Sequence, residues 1–154
     1  MGRIPENCAF THQHSDPEKA QDHGAAPTTG LGLLNSGLLV INPSTHILSM
    51  ILAQLETDAV LSYDFPDQDL LADVFRTRWV ALPYVYNALK TLRWKEVHAP
   101  IWRDDRVKVI HYILAPKPWN EELGDHADET HAWWWDVNRE RREYDKERGI
   151  DDGI

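Results

Sequence analysis

Two residues on either side of a short proline-rich loop have side chains suited to chemistry on a phosphorylated ligand. His111 lies in an apolar run over residues 107–113, and Lys117 follows it between two prolines. A neutral imidazole is a common ligand of divalent metals, and a lysine ammonium contacts phosphate oxygens as a point charge. The spacing alone is a weak signal, and it favours the ordinary alternative of a buried, hydrogen-bonded histidine and a solvated lysine.

A second group of polar residues interrupts the apolar segment over residues 31–41, where Asn35 and Ser36 are followed by Gly37. Polar side chains are costly to bury without hydrogen bonds, so Asn35 and Ser36 need partners in the protein or in a ligand. Glycine has no side chain, so Gly37 allows close approach of a backbone or a ligand.

A third group precedes a helical pattern and contains Asp64, Asp67, Gln68 and Asp69. Asp67 lies where a helix N-cap belongs, which is the ordinary explanation for a single aspartate. The alternative is that Asp64, Asp67 and Gln68 line a polar site at the helix N-terminus. Clustered carboxylates repel one another unless something compensates their charge.

Hydrophobic periodicity predicts the elements that must position these groups. We expect strands over residues 34–41 and 107–113, with His111 near the carboxyl end of the second, where open α/β sheets place ligands. Helices are predicted over residues 45–56, 67–76 and 130–146. A strand over 79–82 and a short helix over 88–93 are further candidates.

Composition predicts three regions: a flexible segment over residues 1–30, a folded part over 31–120, and a linker with a Trp-rich C-terminal helix over 121–154. Residues 1–30 are rich in proline and glycine and poor in apolar side chains. Cys8 and its neighbouring histidines match no standard zinc-finger spacing.

The whole composition excludes several classes of protein. The chain has 154 residues, 42% of them hydrophobic, which suffices for one domain with a core. A net charge of −9 disfavours nucleic acid as a partner. The single cysteine excludes an intrachain disulfide and suggests a reducing, cytoplasmic location, and no membrane-spanning segment or signal peptide is evident. Seven tryptophans indicate either a thick core or a sugar-stacking surface.

Taken in order, these motifs resemble glycosyltransferase family 8, the family of glycogenin and galactinol synthase. The resemblance covers residues 31–120. It is carried by four motifs: Asn35-Ser36-Gly37, Asp64-x-x-Asp67-Gln68, Leu82-Pro83-Tyr84-x-Tyr86-Asn87, and Val109-x-His111-Tyr112 with Lys117-Pro118-Trp119.

The resemblance implies an α/β fold of the nucleotide-diphospho-sugar transferase (GT-A) type, with a partial, mixed sheet and a C-terminal helix. It implies retaining transfer of a hexosyl group from a UDP-sugar, with Mn²⁺, to a polyol, glycan or protein hydroxyl; a homo-oligomer is compatible with it. The implied roles are metal ligand for His111, pyrophosphate contact for Lys117, sugar pocket for Asn35 and Ser36, and donor-sugar contacts for Asp64, Asp67 and Gln68, the last two catalytic.

Two differences from the family stand out. The loop after His111 is Ile-Leu-Ala-Pro where family members such as glycogenin carry a glycine close to the phosphates. The family's first half, with the nucleotide-binding strands and their Asp-x-Asp, has no counterpart, and the Asp-x-Asp at residues 67–69 opens a predicted helix instead. The chain therefore resembles the C-terminal half of a transferase, expected to be inactive in isolation. The alternatives are a non-catalytic carbohydrate-binding module and an inactive remnant.

Overall fold

The structure is a computed structural model that describes residues 5–121 and 127–151. In those ranges it contains four α-helices and two short strands. They are α1 (Lys19–Asp22), α2 (Thr45–Leu55), α3 (Pro66–Val74), β1 (Ala88–Leu89), β2 (Ile110–His111) and α4 (Thr130–Glu147). Short 3₁₀ helices connect them at Pro5–Asn7, Ala9–Ser15, Asp58–Ser62, Tyr84–Tyr86, Lys90–Arg93, Asp104–Arg106 and Pro118–Asn120.

The three longer helices confirm the periodicity analysis, with differences of one or two residues at their ends. Helix α3 begins at Pro66, whose fixed φ suits the first helical position. None of the helices in the described ranges is both long and apolar enough to cross a lipid bilayer.

The strand predictions are largely wrong. Strands β1 and β2 form a parallel pair in which Ala88 lies opposite Ile110 and Leu89 opposite His111, so only two residues of the predicted strand over 107–113 are paired. Residues 34–41 and 79–82 form no strand, and the predicted helix over 88–93 is β1 followed by a 3₁₀ turn. A strand needs a hydrogen-bonded neighbour, and no described residue offers one to residues 38–41. The described residues are therefore helix-rich with a small parallel sheet, not the mixed sheet expected.

The core lies around the 3₁₀ turn before β1 and the loop that leads to β2. Its buried members are Ala20, Tyr84, Val85, Ala88, Leu92, Ile101 and Trp102. They come from three separate segments, so the core ties the chain together across long sequence distances.

The N-terminal segment belongs to this core, contrary to the prediction that residues 1–30 are loose. Ala20 and Gln21 of α1 are both buried. Gln21 donates to the Ile101 carbonyl at 2.7 Å and accepts from the Tyr84 hydroxyl at 2.9 Å. The composition misled because few residues make the contact: Phe10 packs against the core, Ala20 is buried in it, and Gln21 is held by hydrogen bonds.

Helix α4 docks through its first turn. The buried His131 lies between Lys90 Nζ, 3.0 Å from Nε2, and Glu121 Oε2, 2.8 Å from Nδ1. Lys90 also donates to the Pro116 carbonyl at 2.8 Å. These buried bonds join α4 to the proline-rich loop that carries Lys117.

Candidate active site

The first part of the site is a hydrogen-bonded row of three side chains from three segments. Asn35 Oδ1 accepts from the Gly37 amide and from Asn87 Nδ2, each at 2.9 Å. Asn87 Oδ1 lies 3.1 Å from His111 Nδ1. An amide oxygen can only accept, so Nδ1 of His111 carries the proton and Nε2 holds the free lone pair. That tautomer is the one in which Nε2 can ligate a metal.

Gly37 packs directly against this histidine. A side-chain carbon at Gly37 would lie 2.8 Å from Cε1 and 2.9 Å from Nδ1 of His111, and 2.8 Å from Asn35 Oδ1. Those distances are far inside van der Waals contact. The close approach predicted for Gly37 is therefore observed, but the approaching group is the imidazole side chain and not the backbone or ligand that was predicted.

The second part of the site is the start of α3. Ser36 Oγ donates to Asp67 Oδ2 at 2.5 Å, and the Ser36 amide donates to Gln68 Oε1 at 3.4 Å. The Ser36 hydroxyl, against a smaller opposing effect of desolvation, lowers the pKa of Asp67. Asp67 is not the N-cap, because the helix begins at Pro66; Asp69 instead accepts from the amides that precede the helix.

Lys117 belongs to the same group, because its charge acts on His111. Its ammonium donates to the Tyr112 carbonyl. Burial, and secondarily the Lys117 charge, lower the pKa of His111. The imidazole is therefore held neutral near pH 7, as metal ligation requires. The two parts meet where Asn35 and Ser36 are adjacent in the chain.

The sequence of the chain matches a known family. The sequence profile described as "Glycosyl transferase family 8" matches residues 6–122, most of the chain. The chain belongs to glycosyl transferase family 8. The resemblance inferred from the motifs is confirmed, and it extends beyond residues 31–120 to include most of the N-terminal segment.

Several curated relatives of this family 8 chain are much longer than it is. Galactinol synthase 2 of Arabidopsis thaliana is 34% identical over 157 aligned positions, covering 89% of this chain and 45% of that protein. Glycogenin of Komagataella phaffii is 25% identical over 122 positions, covering 66% and 30%, respectively. Glycogenin of Neurospora crassa is 29% identical, covering 73% and 17%. The chain spans less than half of each. No solved structure is significantly similar.

The family 8 residues predicted from the sequence do not all converge. Asn35, Ser36, Asp67, Gln68, His111 and Lys117 form the group described above. Asp64 is exposed, and no hydrogen bond joins its side chain to any residue that the structure describes. It contributes only its backbone amide, which donates to Asp69 at 2.9 Å.

A metal centre is not complete in this part of the family 8 domain. Within residues 5–121 and 127–151, no group of three or more His, Cys, Asp or Glu side chains is placed to hold a metal ion. His111 fits as one ligand, by its tautomer and its lowered pKa, but nothing in those ranges supplies the others.

Sequence reasoning missed Asn87, which bridges Asn35 and His111. Its signal was its position at the end of the Leu82–Asn87 motif. A separate cluster also escaped notice: His98, which is buried, lies 3.1 Å from Cys8 Sγ through Nε2 and 2.8 Å from His14 Nε2 through Nδ1. The cluster contains Cys8 and His14 from the N-terminal segment, but its centre is a histidine from the middle of the chain.

Proposed function

We propose that this chain is part of a transferase that moves a hexosyl group from a UDP-sugar to a hydroxyl acceptor with retention of configuration. The observation that carries the proposal is the row Asn35–Asn87–His111, with Ser36–Asp67 beside it, in a family 8 chain. These contacts join residues far apart in sequence, and hydrogen bonds among partly exposed groups contribute little stability on their own. We therefore infer that these polar residues serve a purpose other than packing.

The residues divide into a phosphate side and a sugar side. His111 Nε2 would hold Mn²⁺ as one ligand of several. Mn²⁺ bound to a diphosphate supplies Lewis-acid stabilisation of the leaving nucleotide. Lys117 would exchange its Tyr112 carbonyl for a diphosphate oxygen and stabilise the same charge.

On the sugar side, Asp67 and Gln68 would accept hydrogen bonds from donor hydroxyls, with Ser36 and Asn35 beside them. The lowered pKa of Asp67 keeps its carboxylate charged. A carboxylate next to the reacting carbon stabilises an oxocarbenium-like centre, as in glycoside hydrolysis. Asp64 would contact the donor sugar only if the loop before α3 moves when the sugar binds.

We further propose that the nucleotide-binding part of the domain is not in this chain. Helix α2 is rich in apolar residues but has no buried residue. Leu48, Leu52 and Leu55 on it are 54%, 52% and 47% exposed, and Val40 and Ile41 just before it are 82% and 68% exposed. Exposed apolar patches of this kind mark surfaces that another structure covers. From the family, we expect the complete domain to have a fold of the nucleotide-diphospho-sugar transferase type.

Calorimetry tests the proposal. The isolated chain, titrated with UDP-glucose or UDP-galactose and MnCl₂, should show no micromolar binding, because the proposal places the uridine pocket and the other metal ligands outside this chain. A longer polypeptide that restores the preceding half should bind the donor and transfer sugar. In it, His111→Ala should abolish the Mn²⁺ dependence and most of the activity, whereas His46→Ala, on the exposed surface of α2, should not.

Two results would contradict the proposal. Micromolar donor binding or turnover by the isolated chain would show that the domain boundaries are misjudged. A longer polypeptide that folds but binds no UDP-sugar would instead support the non-catalytic module or the inactive remnant. A cytoplasmic location stays a prediction, and a homo-oligomer stays compatible with the family resemblance.

A further inference from the structure

An aromatic patch begins at the candidate site and runs away from it. The patch consists of Tyr112, Trp119, Trp134 and Trp135. Successive ring centroids are separated by 6.3 Å, 6.0 Å and 5.0 Å. The rings are edge-on or tilted to one another, the geometry that aromatic pairs prefer. The patch therefore forms a continuous row of rings rather than four isolated side chains.

One end of this aromatic patch shares its backbone with the site. Tyr112 directly follows His111 in the chain, and its carbonyl accepts from Lys117. Trp119 follows Lys117 by two residues. The Trp119 end of the patch is therefore within two residues of Lys117, which is assigned to the leaving diphosphate.

The patch has a structural part at one end, where Tyr112 packs against the buried His131 at 5.5 Å and donates to the Thr130 carbonyl at 3.0 Å, but its tryptophans are not members of the buried core. Of the three consecutive tryptophans of α4, Trp133 packs against the core, whereas Trp134 and Trp135 do not join the core cluster. Trp119 remains 53% exposed, a large apolar surface to leave in water. Trp134 and Trp135 lie outside the family profile, which ends at residue 122. Helix α4 thus adds an aromatic wall that the family pattern does not require.

Beyond Trp135 the aromatic patch continues into a groove of about 260 Å³ along α4. The groove is lined by Trp135, Asn138, Arg139, Arg142, Glu143 and Lys146. Aromatic walls with a few hydrogen-bonding side chains are typical of small-molecule sites. Its arginines and lysine donate hydrogen bonds, its glutamate accepts them and its asparagine does both, so the lining can bind the hydroxyl groups of a ligand in either direction.

We propose that the aromatic patch is the acceptor subsite and that the acceptor is a glycan of several sugar units. This inference rests on the transferase function proposed above. The apolar C–H face of a sugar ring stacks on Trp119 and Trp134, and its hydroxyls reach the polar side chains of α4. A row of several rings is longer than one sugar ring, so a glycan chain uses it fully and a small polyol does not.

The test measures glycan binding directly, without nucleotide or metal. The full chain is titrated with maltoheptaose, cellohexaose and xylohexaose, with myo-inositol as the small polyol, and followed by calorimetry. At least one oligosaccharide should bind saturably and myo-inositol should not. Trp119→Ala should weaken that binding by about tenfold or more, the loss of one stacking contact.

The matched control is Tyr144→Ala. Tyr144 is also 53% exposed, but it lies ten residues beyond Trp134, about 15 Å along the helix axis, so its removal should leave glycan binding unchanged. Trp119→Leu, which keeps the apolar volume, should weaken binding as Trp119→Ala does. Circular dichroism identifies any variant that fails to fold, and the other variant then decides.

Three outcomes would overturn the inference: no oligosaccharide binds, Trp119 variants that fold bind normally, or the patch instead mediates self-association that light scattering shows is lost in Trp119→Ala. Failure of the transferase function is read separately, from the absence of UDP-sugar binding by the longer polypeptide. If the chain binds a glycan but the longer polypeptide binds no UDP-sugar, the aromatic patch is still a carbohydrate-binding site. The proposed transferase function is then refuted.

Discussion

At the scale of single residues, the state of His111 follows from its neighbours. The Asn87 amide oxygen assigns the proton to Nδ1, and burial together with Lys117 keeps the ring neutral. Because the pKa of His111 is lowered from its ordinary value of 6.5, the unfolded chain takes up this proton first as pH falls. The stabilising contribution is therefore present above pH 6.5 and is lost as pH falls towards the folded pKa.

Titration of His111 by NMR checks this. We expect a pKa below 6.5, and in Lys117→Met a higher value that still lies below 6.5, because burial is the larger cause. Lys95→Met, which removes an exposed lysine elsewhere, should not change the pKa of His111. A wild-type pKa at or above 6.5 would remove the argument for a metal-ready imidazole.

Asp67 offers a second residue-scale prediction. The Ser36 hydroxyl is the largest cause that lowers the pKa of Asp67, so Ser36→Ala should raise it towards 3.8. Since the folded pKa is depressed, the contribution to stability is present above pH 3.8 and is lost as pH falls through the folded pKa. Carboxyl NMR titration measures the shift. Ser62→Ala, whose hydroxyl bonds the Ala59 carbonyl, is the matched control; an equal shift there would contradict the assignment.

Leu114 is the subject of a third prediction at the residue scale. Its φ of 64° lies in the left-handed region, which costs a residue with a side chain about 1 kcal/mol and costs glycine little. It stands in the loop where the family resemblance implies a glycine. We expect Leu114→Gly to be more stable than Leu114→Ala by about 1 kcal/mol in urea unfolding. In helix α2, Ala53→Gly should show the opposite sign, by about 1 kcal/mol. Equal stability of the two Leu114 variants would refute the strain.

At the scale of elements, α1 is attached to the core by the hydrogen bonds of one glutamine rather than by large apolar side chains. Gln21→Ala would leave the Ile101 carbonyl without its donor and the Tyr84 hydroxyl without its acceptor, at a cost of about 1–3 kcal/mol. Thr28→Ala, on the exposed surface of the same N-terminal segment, should change stability by less than about 0.5 kcal/mol. Urea unfolding compares the two. Similar small effects would mean that the segment is loosely attached, as its composition first suggested.

At the scale of the whole molecule, the apolar face formed by residues 38–41 and the exposed leucines of α2 predicts association. The isolated chain should bind a hydrophobic dye and self-associate at micromolar concentration, because exposed apolar surface is removed from water on contact. Leu48→Glu with Leu52→Glu should reduce both, whereas Glu140→Gln with Glu143→Gln on α4 should not. If the wild-type chain stays monomeric and binds no dye, this would argue against a missing part of the domain that covers the apolar face.

The sequence by itself determined the features that depend on local order. Helices α2, α3 and α4 follow from a 3.6-residue apolar period, and the family follows from the order of short motifs, because both are written within a few neighbouring residues. Only the tertiary structure decided the rest. Residues 34–41 needed a strand partner that no described residue supplies, α1 entered the core through Gln21, and Asn87 joined Asn35 to His111. Each of these depends on contacts between segments distant in sequence, whose free energies no local pattern encodes.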